Sequence, residues 1–150
     1  MASNLKNDML EFVNLIVSKN HNNNIMTPEN DNMLNLAYIG DIIYDFYISD
    51  NLMRIYNNKL KINDINKNIQ KYLCAKGQAR FIEELIDQEI LSEDEIEIYK
   101  HARNSKSSTR SKNSSIIDYR KATGFEALLG YLYYKNDIKR LFDILSYVKF

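Results

Sequence analysis

Met33–Tyr44 reads MLNLAYIGDIIY and Ala122–Tyr134 reads ATGFEALLGYLYY. Apolar residues in both recur at three- and four-residue spacings without period-two alternation, so both stretches are helices. Each holds a single charged residue, Asp41 in the first and Glu126 in the second. A lone carboxylate in an apolar setting costs several kcal/mol unless it is paired, so each acid either lies on a narrow polar stripe facing water or has a partner. The positions one turn away argue against plain exposure. They are Ala37, Tyr38, Tyr44 and Asp45 around Asp41, and Ala122, Thr123, Leu129 and Gly130 around Glu126. Gly40, Gly124 and Gly130 cost helix propensity but let another helix or a ligand come close. Should the two acids meet, their repulsion calls for a divalent cation, and carboxylate oxygens suit Mg²⁺ or Mn²⁺. Two histidines and one cysteine are too few for a zinc site. His21 falls in an Asn-rich stretch and His101 near a helix end.

Outward from these two segments the rest of the chain is also helical in pattern, which makes the fold class all-α. With 150 residues, four Gly, one Pro and one Cys, it is a single domain long enough to bury a core without disulfides or metals. An amphipathic helix is expected over 5–18, followed by the Asn-rich loop of 19–24. Thr27 and Pro28 suit the N-cap and first position of a helix that reaches Tyr56 with a break. Asn63 and Asp64 suit the cap of the next helix. Gly77 marks a break before a helix over 78–90. Ser92 with Glu95 forms a capping box for a helix ending near Ala102. Ser115 with Asp118 opens a helix to Tyr134, and Asp137 opens the last. Cys74, alone in its chain, favours a reducing, cytoplasmic compartment. The charges at Lys6, Asp8 and Glu11 are unlike a secretion signal, and no uncharged stretch approaches the ~20 residues of a membrane span.

Zero net charge conceals a segregation. Between Lys100 and Lys121 seven cations face Asp118 alone, a net +6, so the remainder carries −6. One basic segment in a neutral chain points to an anionic partner for that segment.

Leu36–Asp45 (LAYIGDIIYD) resembles the signature helix of the ribonuclease III catalytic domain, and Arg103–Tyr134 (RNSKSSTRSKN…YRKATGFEALLGYLYY) resembles its matching second half. The likeness runs from about Leu34 to Leu145. It is greatest to the Mini-ribonuclease III branch, which has no separate double-stranded-RNA-binding domain. The resemblance implies an all-α catalytic core over 27–149, preceded by the helix and loop of 1–24. It also implies a homodimer, Mg²⁺-dependent cleavage of double-stranded RNA and maturation of the large ribosomal RNA precursor. Asp41 and Glu126 match the family's catalytic metal ligands. Ribonuclease III proper has further carboxylates one turn before each; here Ala37 and Thr123 stand there. One ion is therefore expected, with more of its shell from water and phosphate. Asp45 and Thr123 are candidates to orient the ligands.

The chemistry expected is hydrolysis that leaves a 5′-phosphate and a 3′-hydroxyl, with Asp41 and Glu126 holding the cation. No serine or cysteine nucleophile is needed. A-form RNA is recognised through phosphates, 2′-hydroxyls and groove shape. Arg103, Lys106, Arg110, Lys112 and Arg120 are expected on phosphates, Asn104 and Asn113 on hydroxyls, and Tyr119 against the RNA. Most other tyrosines belong to the core. The competing reading is a module that binds structured RNA without cutting it, such as a ribosome-assembly factor. Two isolated acids facing a polyanion argue against that.

Overall fold

Two long helices, α1 (Met33–Tyr56) and α5 (Ile116–Tyr134), lie face to face, and four others surround them: α2 (Ile62–Leu73), α3 (Ala75–Asp87), α4 (Glu93–Arg103) and α6 (Ile138–Leu145). The structure is a computed structural model that describes Glu11, Phe12, Leu15 and residues 32–105 and 115–150. Among the described residues every regular element is a helix, as the spacing of apolar residues requires. Glu11, Phe12 and Leu15 are helical. The rest of the expected N-terminal helix, the Asn-rich loop, the Thr27–Pro28 start and Lys106, Arg110, Lys112 and Asn113 lie outside the described residues.

Helix α5 is the hub, packing against α1, α3, α4 and α6. Its contact with α1 is backbone on backbone. A Cβ added at Gly40 would sit 1.7 Å from the carbonyl oxygen of Glu126, and one at Gly130 would sit 2.0 Å from that of Leu36. Four residues forward on α1 thus match four residues back on α5, so the helices run antiparallel. This register sets Asp41, next to Gly40, beside Glu126. Below the crossing Tyr44, Phe81 and Phe125 pack ring to ring, with Phe125 edge-on to Tyr44 at 5.0 Å and to Phe81 at 5.4 Å. Each such buried apolar side chain contributes roughly 1.5–3 kcal/mol.

The caps at Ser92, Ser115 and Asp137 form as their sequences indicate. Ser92 Oγ accepts from the Glu95 N–H while the Glu95 carboxylate accepts from the Ser92 N–H, completing the capping box. Ser115 Oγ accepts from the Asp118 N–H and Asp137 Oδ1 from the Arg140 N–H.

Four boundaries differ from expectation. Helix α1 runs unbroken from Met33 through Gly40, because the close approach of α5 rewards the missing Cβ there. The N-cap of α2 is Lys61, which puts Asn63 and Asp64 inside the first turn. The break before α3 falls at Cys74, whose Sγ accepts from the Gly77 N–H at 3.4 Å. Gly77 lies within the helix, needed where a Cβ would come within 2.2 Å of the Lys71 carbonyl. Helix α3 stops at Asp87, three residues short of the expected end. The Ile90 N–H bonds Leu85 O and the Glu89 N–H bonds Ile86 O, a Schellman turn with Glu89 at φ 55° where glycine is usual.

Candidate active site

Asp41 is exposed on α1, while Glu126, opposite it on α5, is half-buried. Their carboxyl groups lie within hydrogen-bonding reach of each other, although eighty-five positions separate them in sequence. Burial first, and then the charge of Asp41, push the Glu126 carboxyl up to about 8 from its ordinary 4.5. The amide of Gln78 works the other way by hydrogen-bonding the charged form. Among the described residues no Lys or Arg forms an ion pair with either acid.

This pair fits a hard divalent cation. The donors are carboxylate oxygens, they crowd one another, and the described residues supply no positive charge to relieve them. Among the described residues no group of three or more His, Cys, Asp and Glu side chains gathers into a metal cluster. A cation held by this pair alone would take most of its shell from water and phosphate oxygens.

The flanking candidates are committed locally. The Thr123 hydroxyl, one turn before Glu126, is buried and donates to the Tyr119 carbonyl at 3.0 Å. Asp45, one turn after Asp41, is exposed and accepts from the Ser49 hydroxyl at 2.8 Å. Arg103 at the end of α4 stacks its guanidinium 5.5 Å over the Tyr99 ring and donates from Nε to Asn104 Oδ1 at 3.3 Å. Tyr99 in turn fills the space beside Gly124, where an added Cβ would come within 2.6 Å of its ring. Arg103 is thus fixed one aromatic ring away from the turn that precedes Glu126. Tyr119 is half-buried and Arg120 is exposed near the start of α5, toward the C-terminal end of the basic segment. Lys121, from the same basic segment, instead pairs with Glu83 on α3. Lys106, Arg110, Lys112 and Asn113 belong to the part of the loop outside the described residues.

Gln78 is the residue that the motif reading did not single out. It is 2% exposed, on the face of α3 shared with Phe81, Ile82 and Leu85. A signal was there: it is the one polar residue at positions 78, 81, 82 and 85, the buried stripe of that helix.

The Ribonuclease III domain family matches residues 34–137. A protein named Mini-ribonuclease 3 from Streptococcus pneumoniae is 40% identical over 116 residues, covering 77% of this chain and 89% of the relative. Another of that name from Clostridium tetani is 43% identical over 117 residues, covering 78% and 76%. A crystal structure of a Fusobacterium nucleatum protein superposes with a TM-score of 0.70 at 25% identity, over 81% of this chain and 96% of that one. The matched region contains α1 to α5 and both carboxylates. The chain therefore belongs to the ribonuclease III domain family and is an endoribonuclease of ribonuclease III type.

Proposed function

We propose that Asp41 and Glu126 form the catalytic metal site of a double-strand-specific, Mg²⁺-dependent endoribonuclease in which Mn²⁺ substitutes for Mg²⁺. The observation that carries this is the convergence of two carboxyl groups without a cation partner among the described residues, one held near neutrality by burial and by the other. Asp41 and Glu126 would hold the ion, which would supply Lewis-acid chemistry: activation of water near neutral pH and neutralisation of charge on the scissile phosphate and the departing 3′-oxygen. Glu126, its proton held by burial, would have to ionise to serve as a ligand, and Asp41 stands on the exposed side from which the RNA backbone would approach. Cleavage leaves a 5′-phosphate and a 3′-hydroxyl.

Arg103, held by Tyr99, and Arg120, exposed on α5, take backbone phosphates, while Asn104 takes a 2′-hydroxyl. Lys106, Arg110 and Lys112 are assigned to further phosphates and Asn113 to a 2′-hydroxyl from the charge and polarity of the segment alone, and Tyr119 packs against the RNA. Asp45 and Thr123 steady the helix turns that carry the ligands. The natural duplex is a stem of the large ribosomal RNA precursor, processed in the cytoplasm.

A homodimer suits a duplex because two sites related by a two-fold axis each cut one strand. Its interface is the outer face of α1, where Leu34, Tyr38, Ile42 and Phe46 repeat every four residues and are all exposed, Tyr38 at 71%.

The test is cleavage of a labelled duplex RNA with Mg²⁺ by the wild type, Asp41→Asn and Glu126→Gln. Both variants are expected to bind the duplex with wild-type affinity in EDTA and to lose at least about 10³-fold in cleavage, the scale of a missing electrostatic stabiliser. Wild-type cleavage by either variant removes that residue from the mechanism.

A further inference from the structure

Gln78 is almost wholly buried, yet its amide is only partly satisfied. Nε2 donates to the Leu73 carbonyl at 3.0 Å across the break between α2 and α3, and the amide lies beside the Glu126 carboxyl, where it favours the charged form. Oε1 is buried with no partner among the described residues. Turning the amide over would set Oε1 against the Leu73 carbonyl, two acceptors in contact, so the Leu73 hydrogen bond itself fixes which end of the amide is Nε2. A core position filled for stability alone would not hold an orphaned carbonyl, since a methionine of similar length packs there without that cost. The geometry fits another task. Leu73 O is main chain, fixed by the end of α2, and an amide anchored to it holds the flexible Glu126 side chain in one rotamer.

We infer that Gln78 is a positioning residue which, anchored on the Leu73 carbonyl, holds the Glu126 carboxylate toward Asp41 so that both meet one divalent cation. The inference rests on the metal-site reading of Asp41 and Glu126. Gln78 touches neither RNA nor cation in this arrangement. It stands behind the ligand, and removing such a partner typically lowers metal affinity 10–100-fold.

The experiment is Mn²⁺ titration of the full chain without RNA, followed by electron paramagnetic resonance, for the wild type, Gln78→Met, Gln78→Asn, Asp41→Asn, Glu126→Gln and the double variant Gln78→Met with Glu126→Gln. Asn retains the amide but is one methylene too short to span both partners, which keeps the question open should the Met variant fail to fold. Mn²⁺ affinity is expected to fall at least tenfold in both Gln78 variants. Adding Gln78→Met to Glu126→Gln is expected to change the residual affinity by less than twofold. In the cleavage assay, raising Mg²⁺ is expected to restore the turnover of the Gln78 variants without altering duplex affinity measured in EDTA, a rescue that a folding defect would not show. Wild-type Mn²⁺ affinity in the Gln78 variants, with affinity lost in Asp41→Asn and Glu126→Gln, overturns the inference alone. Wild-type affinity in Asp41→Asn and Glu126→Gln overturns the metal site itself.

Discussion

At Glu126 three influences meet: burial and the charge of Asp41 disfavour its carboxylate, and the Gln78 amide favours it. The net rise gives stability a definite pH dependence. Below about 4.5 both the native and the unfolded chain hold this proton. Between there and about 8 only the native chain does, so that contribution to stability drains away as pH rises through the window. In EDTA, the melting temperature of the wild type is expected to fall from pH 5 to pH 8 more steeply than that of Glu126→Gln. Added Mg²⁺ should raise the wild-type value more at pH 8 than at pH 5, because at pH 5 the ion competes with a tightly held proton. Equal pH slopes in the two proteins would show that Glu126 keeps an ordinary carboxyl. Glu95 acts in a different range. Burial raises it, but Arg140, bonded through Nε at 2.7 Å and through an Nη at 2.9 Å, together with the Ser92 N–H, holds it below the usual value. Its support is therefore lost as pH falls from the ordinary carboxylate value of 4.5 through its own lowered one, on the acid side of the Glu126 window.

Among the elements, the crossing of α1 and α5 controls the site. A methyl group at Gly40 has no room beside the Glu126 carbonyl, so the helices would have to separate or slide. Gly40→Ala is expected to destabilise the fold by on the order of 3 kcal/mol in urea unfolding, the upper part of the overpacking range. It is also expected to weaken Mn²⁺ binding, because the shift parts the two ligands. A variant as stable as wild type would mean that the helices do not touch there. The end of α3 offers the opposite test. Glu89 occupies a left-handed conformation that costs an L-residue about 1–2 kcal/mol. Glu89→Gly is expected to stabilise by roughly 0.5 kcal/mol once the greater freedom of glycine in the unfolded chain is subtracted. A loss of stability would place the value of Glu89 in its side chain. The second turn of this kind, after α5, already has Asn136 at φ 62°, a residue that tolerates the conformation.

For the whole molecule, the outer face of α1 is the largest unsettled energy. Its exposed row continues into an apolar cavity of about 230 Å³ whose lining includes Phe12, Ile42, Phe46, Tyr133 and Phe142. Such a surface favours association. Phe46→Asp, at a position 53% exposed in the single chain, is expected to fold with little loss yet sediment as a monomer, whereas the wild type is expected to sediment as the proposed dimer. Wild-type sedimentation by the variant would put the two-fold interface elsewhere. Among the described residues no helix is long and apolar enough to cross a membrane, so this face is not a spanning segment.

What was legible in the sequence is what local chemistry fixes. Ser92, Ser115 and Asp137 cap their helices through bonds that span three residues, and apolar spacing makes the chain all-α, so no knowledge of distant partners is needed. Asp41 and Glu126 stood out because each interrupts an apolar run, and the motifs around them matched a known family. Long-range contact decided the rest. Gly40 was legible as a place where another helix could come close, but which helix did so was not, and Gly77 looked like an interruption until the Lys71 carbonyl was seen to occupy the space of its missing side chain. Gln78 carried no motif, and its place became legible only when its amide was found bonded to the Leu73 carbonyl and beside Glu126. Helix identity is set by neighbours within a turn, whereas a site shared by α1, α3 and α5 exists only once packing fixes their register.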